Sequence, residues 1–112
     1  MNKYGAIMKR GEVRWYKFQS PDKKRPVVIL TRDSAIEFIG EITVAPVTST
    51  IRDITSEVVL NIEDGMKNDC AINLDHIQTV SKTKIGSFIT KLSLTKMKQL
   101  QTALDFASGF DR

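Results

Sequence analysis

Arg25-Pro26-Val27-Val28-Ile29-Leu30 opens on a cation and continues as an unbroken run of β-branched and aliphatic side chains. Apolar residues therefore fall on both faces of the pleat, and residues 26–31 read as a strand buried on both sides at the centre of a sheet. Proline fits such a strand when it comes first, where no ladder hydrogen bond is asked of it. A second stretch, Val44-Ala45-Pro46-Val47-Thr48-Ser49-Thr50, carries an apolar strand over 41–47 into three successive hydroxyls. If the two strands lie with these ends together, a guanidinium and a hydroxyl share one surface pocket.

On either side of these stretches the chain is punctuated into short elements. Residues 1–11 are mixed in character and read as a loose lead-in. Val13, Trp15 and Phe18 belong to a strand over 12–18, and Ser20-Pro21-Asp22-Lys23-Lys24 reads as an exposed turn between strands. Asp33 and Ser34 can cap a helical turn that runs through Ile39 and stops at Gly40. Further strands are expected over 56–60, 70–74, 77–81 and 86–90, with a turn at Glu63-Asp64-Gly65. Ser93 can cap a terminal helix whose apolar positions Leu94, Met97, Leu100, Leu104 and Ala107 recur at spacings of three and four, ending near Gly109. Short strands followed by one helix predict a mainly β, α+β fold: an SH3-like small barrel of short antiparallel strands with a C-terminal helix.

Composition sets the outer limits. A chain of 112 residues with 41% hydrophobic side chains makes one domain over 1–112, of which 1–8 is the loose extension. Seventeen basic residues against thirteen acidic leave a net charge of +4, which leans toward a polyanionic partner. Cys70 is the only cysteine and His76 the only histidine, so neither an intrachain disulfide nor a Cys/His zinc cluster is available. Residues 1–9 lack the apolar core of a signal peptide, and no run approaches the roughly 18 residues of a membrane span. The expectation is a cytoplasmic protein with no membrane partner and no cofactor.

Four motifs then stand in register: Lys9-Arg10-Gly11-Glu12-Val13, Arg25-Pro26-Val27-Val28-Ile29-Leu30, Val44-Ala45-Pro46-Val47-Thr48-Ser49, and Leu74-Asp75-His76-Ile77-Gln78-Thr79-Val80. In this order and at these intervals, from Met8 to Phe106, the chain resembles the MazF/PemK family of endoribonuclease toxins of bacterial type II toxin-antitoxin pairs. The resemblance implies a homodimer that cleaves single-stranded RNA without metal, leaving a cyclic phosphate and a free 5′ hydroxyl, and that is neutralised by a separately encoded antitoxin. It also implies Arg25 and Thr48 as the catalytic pair. Ser20, Pro21, Asp22, Lys23 and Lys24 correspond to the RNA-contacting loop, and Gln78 and Thr79 to a second patch lining the groove. Ser49, Thr50 and Arg52 stand close enough in sequence to join that RNA surface. The loop before Arg25 is shorter than is common in the family and lacks glycine, which bears on base preference more than on cleavage.

The chemistry suits those residue types. RNA carries its own nucleophile in the 2′-OH, so a protein catalyst has to orient the strand, stabilise the phosphorane charge and handle protons. A guanidinium offers a planar fork to two phosphate oxygens, which an ammonium does not. Outside this context Arg25 is a solvated cation, and Ser49 and Thr50 are turn hydroxyls bonding their own backbone. His76 is read as structural or groove-lining, because enzymes that move both protons with histidine need two. Two other functions fit the same fold: a gyrase poison of the CcdB type, and a non-catalytic nucleic-acid-binding module. The first works through a helix ending in Trp-Gly-Ile, whereas this chain ends in Ser108-Gly109-Phe110-Asp111-Arg112.

Overall fold

The structure is a computed structural model and describes residues 8–17 and 23–110. In chain order the elements are β1 (Glu12–Lys17), β2 (Lys24–Ile29), α1 (Asp33–Ile36), β3 (Glu41–Thr48), β4 (Glu57–Leu60), β5 (Cys70–Asn73), β6 (Gln78–Ser81), β7 (Ile85–Lys91) and α2 (Leu94–Ser108). Single 3-10 turns at Ile62–Asp64, Leu74–His76 and Lys82–Lys84 bend the connections. The strands run β4-β5-β3-β2-β1-β7, with β6 also on β3, and all pairs are antiparallel. The result is the expected mostly β, curled antiparallel sheet with a C-terminal helix, a half-barrel in outline.

The central place of β2 follows from its two apolar faces. Val28 and Leu30 join one core with Val47, Leu60, Ile72, Leu100 and Ala103, the last two from α2. Val27 and Ile29 join another with Ile36, Ile42, Val44, Val80 and Ile85. Each large aliphatic side chain sequestered this way contributes about 1.5–3 kcal/mol, so a strand apolar on both faces is stable only between two layers.

β3 is the strand that shapes the site. One edge pairs with β2 through Val44, Ala45 and Pro46. The other edge changes partner: Glu41 to Val44 lie against β6, while Val47 and Thr48 lie against Ile72 and Ala71 of β5. Between those ladders Ala45 and Pro46 face residues 73–77, which bulge out as the Leu74–His76 turn. Proline has no N–H to donate, and Pro46 falls where this edge has no ladder to feed. The strand therefore passes through the proline and ends at Thr48, one residue beyond the expected 41–47.

Other boundaries moved for similar local reasons. β2 begins at Lys24, so Pro26 is its third residue; its ladder to β3 starts only at Val27, and Pro26 is paired on the β1 side alone, with Trp15. α1 is shorter than the expected 33–39 and has Arg32 at its N-cap without a side-chain cap, because the Asp33 carboxylate instead accepts the Arg10 N–H at 2.7 Å. Residues 8–11 are packed, not loose: Met8 is buried in the Ile29 and Ile36 core, and the Gly11 N–H donates to the Ile29 carbonyl at 2.9 Å. Gly11 has φ +90°, and a Cβ there would meet Met97 Sδ at 2.7 Å.

α2 is capped as its sequence predicts, with Ser93 Oγ accepting the Lys96 N–H at 3.1 Å and Gly109 closing it at φ +81°. Its buried line is Leu100 and Ala103, flanked by Met97, Leu104 and Ala107. Leu94, expected on that face, sits at the first helical position ahead of the line and is 83% exposed. Among the described residues no helix is long and apolar enough to cross a membrane.

Candidate active site

Register brings the two motifs together. Val27 faces Pro46 at the end of the β2–β3 ladder, and Arg25 and Thr48 each lie two residues beyond that last pair. Both residues line one cavity of about 420 Å³. Lys23 and Arg52 reach the same cavity, as do His76 and Gln78. Its lining therefore carries three cations, with no carboxylate among the described residues, which suits a phosphodiester.

Thr48 is half-buried, and its hydroxyl oxygen accepts the Thr50 N–H at 3.1 Å. That bond uses a lone pair and leaves the O–H proton available to a ligand. The loop that follows is held by Glu57, whose Oε1 accepts the N–H groups of Arg52 at 3.0 Å and Asp53 at 3.2 Å. Asp53 takes the left-handed conformation, φ +57°, to make this clasp. Arg52 owes its place at the cavity to that turn.

The floor is built from the 3-10 turn after β5. Asn73 is buried, its Oδ1 accepting the Asp75 N–H at 2.9 Å while Nδ2 lies 3.2 Å from His76 Nδ1. Asp75 is anchored in turn, its Oδ2 accepting the Ser56 hydroxyl at 2.6 Å. Ser56, Asn73, Asp75 and His76 thus form a continuous chain of hydrogen bonds beneath the cationic cavity.

A second cavity, about 500 Å³, lies on the other side of Thr48 and shares Val47 and Thr48 with the first. Trp15, Pro26, Met66, Cys70 and Phe88 make it predominantly apolar, with Ser49 also in its lining. Trp15 is 37% exposed and Phe88 52%, so two aromatic surfaces are open to a ligand. Arg14 lies with its guanidinium carbon 5.8 Å from the Phe88 ring centroid and pairs with the buried Glu12 at 2.8 Å. The Cys70 thiol is pushed above its usual pKa by burial and by the nearby Asp64 and Asp69 carboxylates; it stays protonated at neutral pH and is no nucleophile.

Of the residues singled out in the sequence, Arg25, Thr48, Lys23, Arg52 and Gln78 converge on the cationic cavity, and Ser49 on the apolar one. Thr50 participates through its backbone N–H. Lys24, opposite Lys17, and Thr79, opposite Thr43, are exposed and line neither cavity. Ser20, Pro21, Asp22 and the strand end at Phe18 lie outside the described residues. Among the described residues no three or more His, Cys, Asp or Glu side chains gather as metal ligands. Sequence reading missed Asn73, Glu57 and Phe88. Asn73 had a local signal, an Asn two residues ahead of Asp75 in a capping turn; the other two act through contacts made only on folding.

Residues 9–107 match the family described as "PemK-like, MazF-like toxin of type II toxin-antitoxin system". A Mycobacterium tuberculosis relative named "Probable endoribonuclease MazF5" is 39% identical over 108 residues, covering 96% of this chain and 98% of the relative. The solved structure of the Mycobacterium tuberculosis toxin MazF-mt6 superposes with a TM-score of 0.82 at 29% identity, covering 90% of this chain and 99% of that one. A mycobacterial endoribonuclease solved with its cognate antitoxin has the same fold, with a TM-score of 0.84 at 22% identity over 94% of this chain and 98% of that one.

Proposed function

Because the chain belongs to the PemK-like, MazF-like family of type II toxin-antitoxin toxins, we propose that it is a sequence-selective endoribonuclease that cuts single-stranded RNA without a metal ion. The 2′-oxygen attacks the adjacent phosphorus and loses its proton, the bond from phosphorus to the 5′-oxygen breaks, and that oxygen takes up a proton. The products are a 2′,3′-cyclic phosphate and a 5′ hydroxyl. The observation that carries this reading is the meeting of Arg25 and Thr48 in one cationic cavity.

In this scheme Arg25 grips the scissile phosphate through two parallel hydrogen bonds and opposes the charge that grows on its oxygens. Thr48 donates its O–H to the same oxygens, its lone pair being already engaged by Thr50. Since the nucleophile comes from the substrate, a metal is not needed to generate it. Lys23 and Arg52 hold neighbouring phosphates, and the aromatic cavity beyond Thr48 takes a flanking base by stacking.

The protein acts in the cytoplasm as a homodimer, and its antitoxin is a separate chain. A mycobacterial endoribonuclease of this fold is solved with a cognate antitoxin, and an acidic antitoxin segment would complement the cations around Arg25, so inhibitor and RNA would compete for one groove. The decisive test incubates wild type, Arg25→Ala and Thr48→Ala with a long RNA in excess chelator and maps the cut ends. Cuts by wild type bearing 5′ hydroxyls, lost in both folded variants, are expected; no cuts by wild type across diverse RNA would overturn the reading.

A further inference from the structure

The hydrogen bonds under the cationic cavity fix more than the position of His76. Asn73 is buried, and its amide cannot be turned over: Oδ1 is needed to accept the Asp75 N–H at 2.9 Å, and an NH₂ group there would oppose another donor. The group 3.2 Å from His76 Nδ1 is therefore the Asn73 NH₂. A donor on that side requires Nδ1 to be the acceptor, so the neutral ring carries its proton on Nε2. Asp75 is itself held by the Ser56 hydroxyl, which donates to its Oδ2 at 2.6 Å; the assignment runs from the Asp75 N–H through Asn73 to one ring nitrogen.

We infer that His76 is a specificity-determining residue, held by Asn73 as the neutral Nε2–H tautomer so that it offers one uncharged donor to a base acceptor of RNA in the Arg25–Thr48 cavity. His76 is exposed and lines that cavity. Lys23, Arg25 and Arg52 already answer the phosphate charge there. A neutral donor adds little to a phosphate's binding beside three cations, whereas it separates bases by whether a carbonyl oxygen or ring nitrogen stands opposite it. The inference rests on the ribonuclease reading for its ligand, and its tautomer rests on protein contacts alone.

Two measurements test it separately. Long-range proton–nitrogen spectra of the free protein at mildly alkaline pH are expected to show Nε2 protonated. Asn73→Asp, which keeps the acceptor for the Asp75 N–H, is expected to move the proton to Nδ1. The second measurement selects bound sequences from a random single-stranded RNA pool, using the Thr48→Val protein to prevent cleavage, with His76 intact or changed. His76→Ala is expected to weaken the preferred RNA about 5- to 30-fold and to flatten the base preference at one position. His76→Gln, which restores an N–H donor, is expected to recover most of that preference. An Nδ1-protonated ring in wild type, or an unchanged preference in folded His76→Ala, overturns the inference. Absence of RNA cleavage by the wild-type enzyme would instead strike at the ribonuclease reading and leave the tautomer and binding results to decide the role of His76.

Discussion

The two cavities that meet at Thr48 are of similar size, about 420 and 500 Å³, and opposite character. One gathers Lys23, Arg25 and Arg52 over a hydrogen-bonded floor; the other presents Trp15, Met66 and Phe88. A nucleic acid has the same division, with a charged backbone that is alike at every step and bases that differ. In the proposed function the cationic side grips the backbone and the apolar side stacks bases, with His76 as a base-reading donor on the cationic side and Thr48 on the ridge between the two. Damage to one side should therefore leave a different signature from damage to the other.

The sharpest contrast is expected from Arg25→Ala, which should lower the cleavage rate on saturating RNA by about 10²- to 10³-fold while thermal melting stays near wild type. Rapid-quench cleavage of a defined oligonucleotide checks this, and a rate within a few-fold of wild type would remove the arginine from the chemistry. Thr48→Val should follow with a loss of about 10²-fold, and Thr48→Ser should recover most of it, because serine supplies both the O–H and the acceptor for Thr50. Across the ridge, Phe88→Ala and Trp15→Ala should each weaken RNA binding by about 1–3 kcal/mol with a near-normal cleavage rate once RNA saturates. Fluorescence titration at several salt concentrations should show their salt slope unchanged. Lys23→Ala is the complement: binding falls alike for all sequences and the salt slope lessens by about one unit. The smallest effect concerns Cys70, at the rim of the apolar cavity. Its raised pKa means a thiolate forms only at higher pH than for a free cysteine, so iodoacetamide should modify the folded protein more slowly than a short cysteine peptide at the same pH. Equal rates would place the thiol outside the buried setting described for it.

Much of this division was legible in the sequence. The double-faced apolar run of β2, the capped α2 and the arginine and hydroxyl motifs are local patterns, and the structure keeps them. The cationic cavity could be anticipated because its chemistry-bearing residues sit at strand ends marked by Pro26 and Pro46. The apolar cavity could not. Trp15 and Phe88 meet only because β1 pairs with β7 across most of the chain, and an aromatic in a strand has no local mark that says whether it faces core or ligand. Glu57 was invisible for the same reason, since its task is to accept two N–H groups from a turn with an unusual backbone at Asp53. β3 runs one residue past the expected 41–47, because the apolar run stops at Val47 whereas pairing with β5 continues through Thr48.

The pairing of β1 with β7 also has a bearing on synthesis. The edge of β1 away from β2 is matched by residues as far along as Lys91, so a growing chain that has emerged past Lys17 must wait for the last strand. At ~5–20 residues per second that interval lasts roughly 4 to 15 seconds, during which the Trp15 side of the apolar cavity lacks Phe88 and Ile89. A chain broken off before β7 would carry Arg25 and Thr48 without the aromatic wall beside them. Completion of the polypeptide is thereby tied to completion of the apolar cavity.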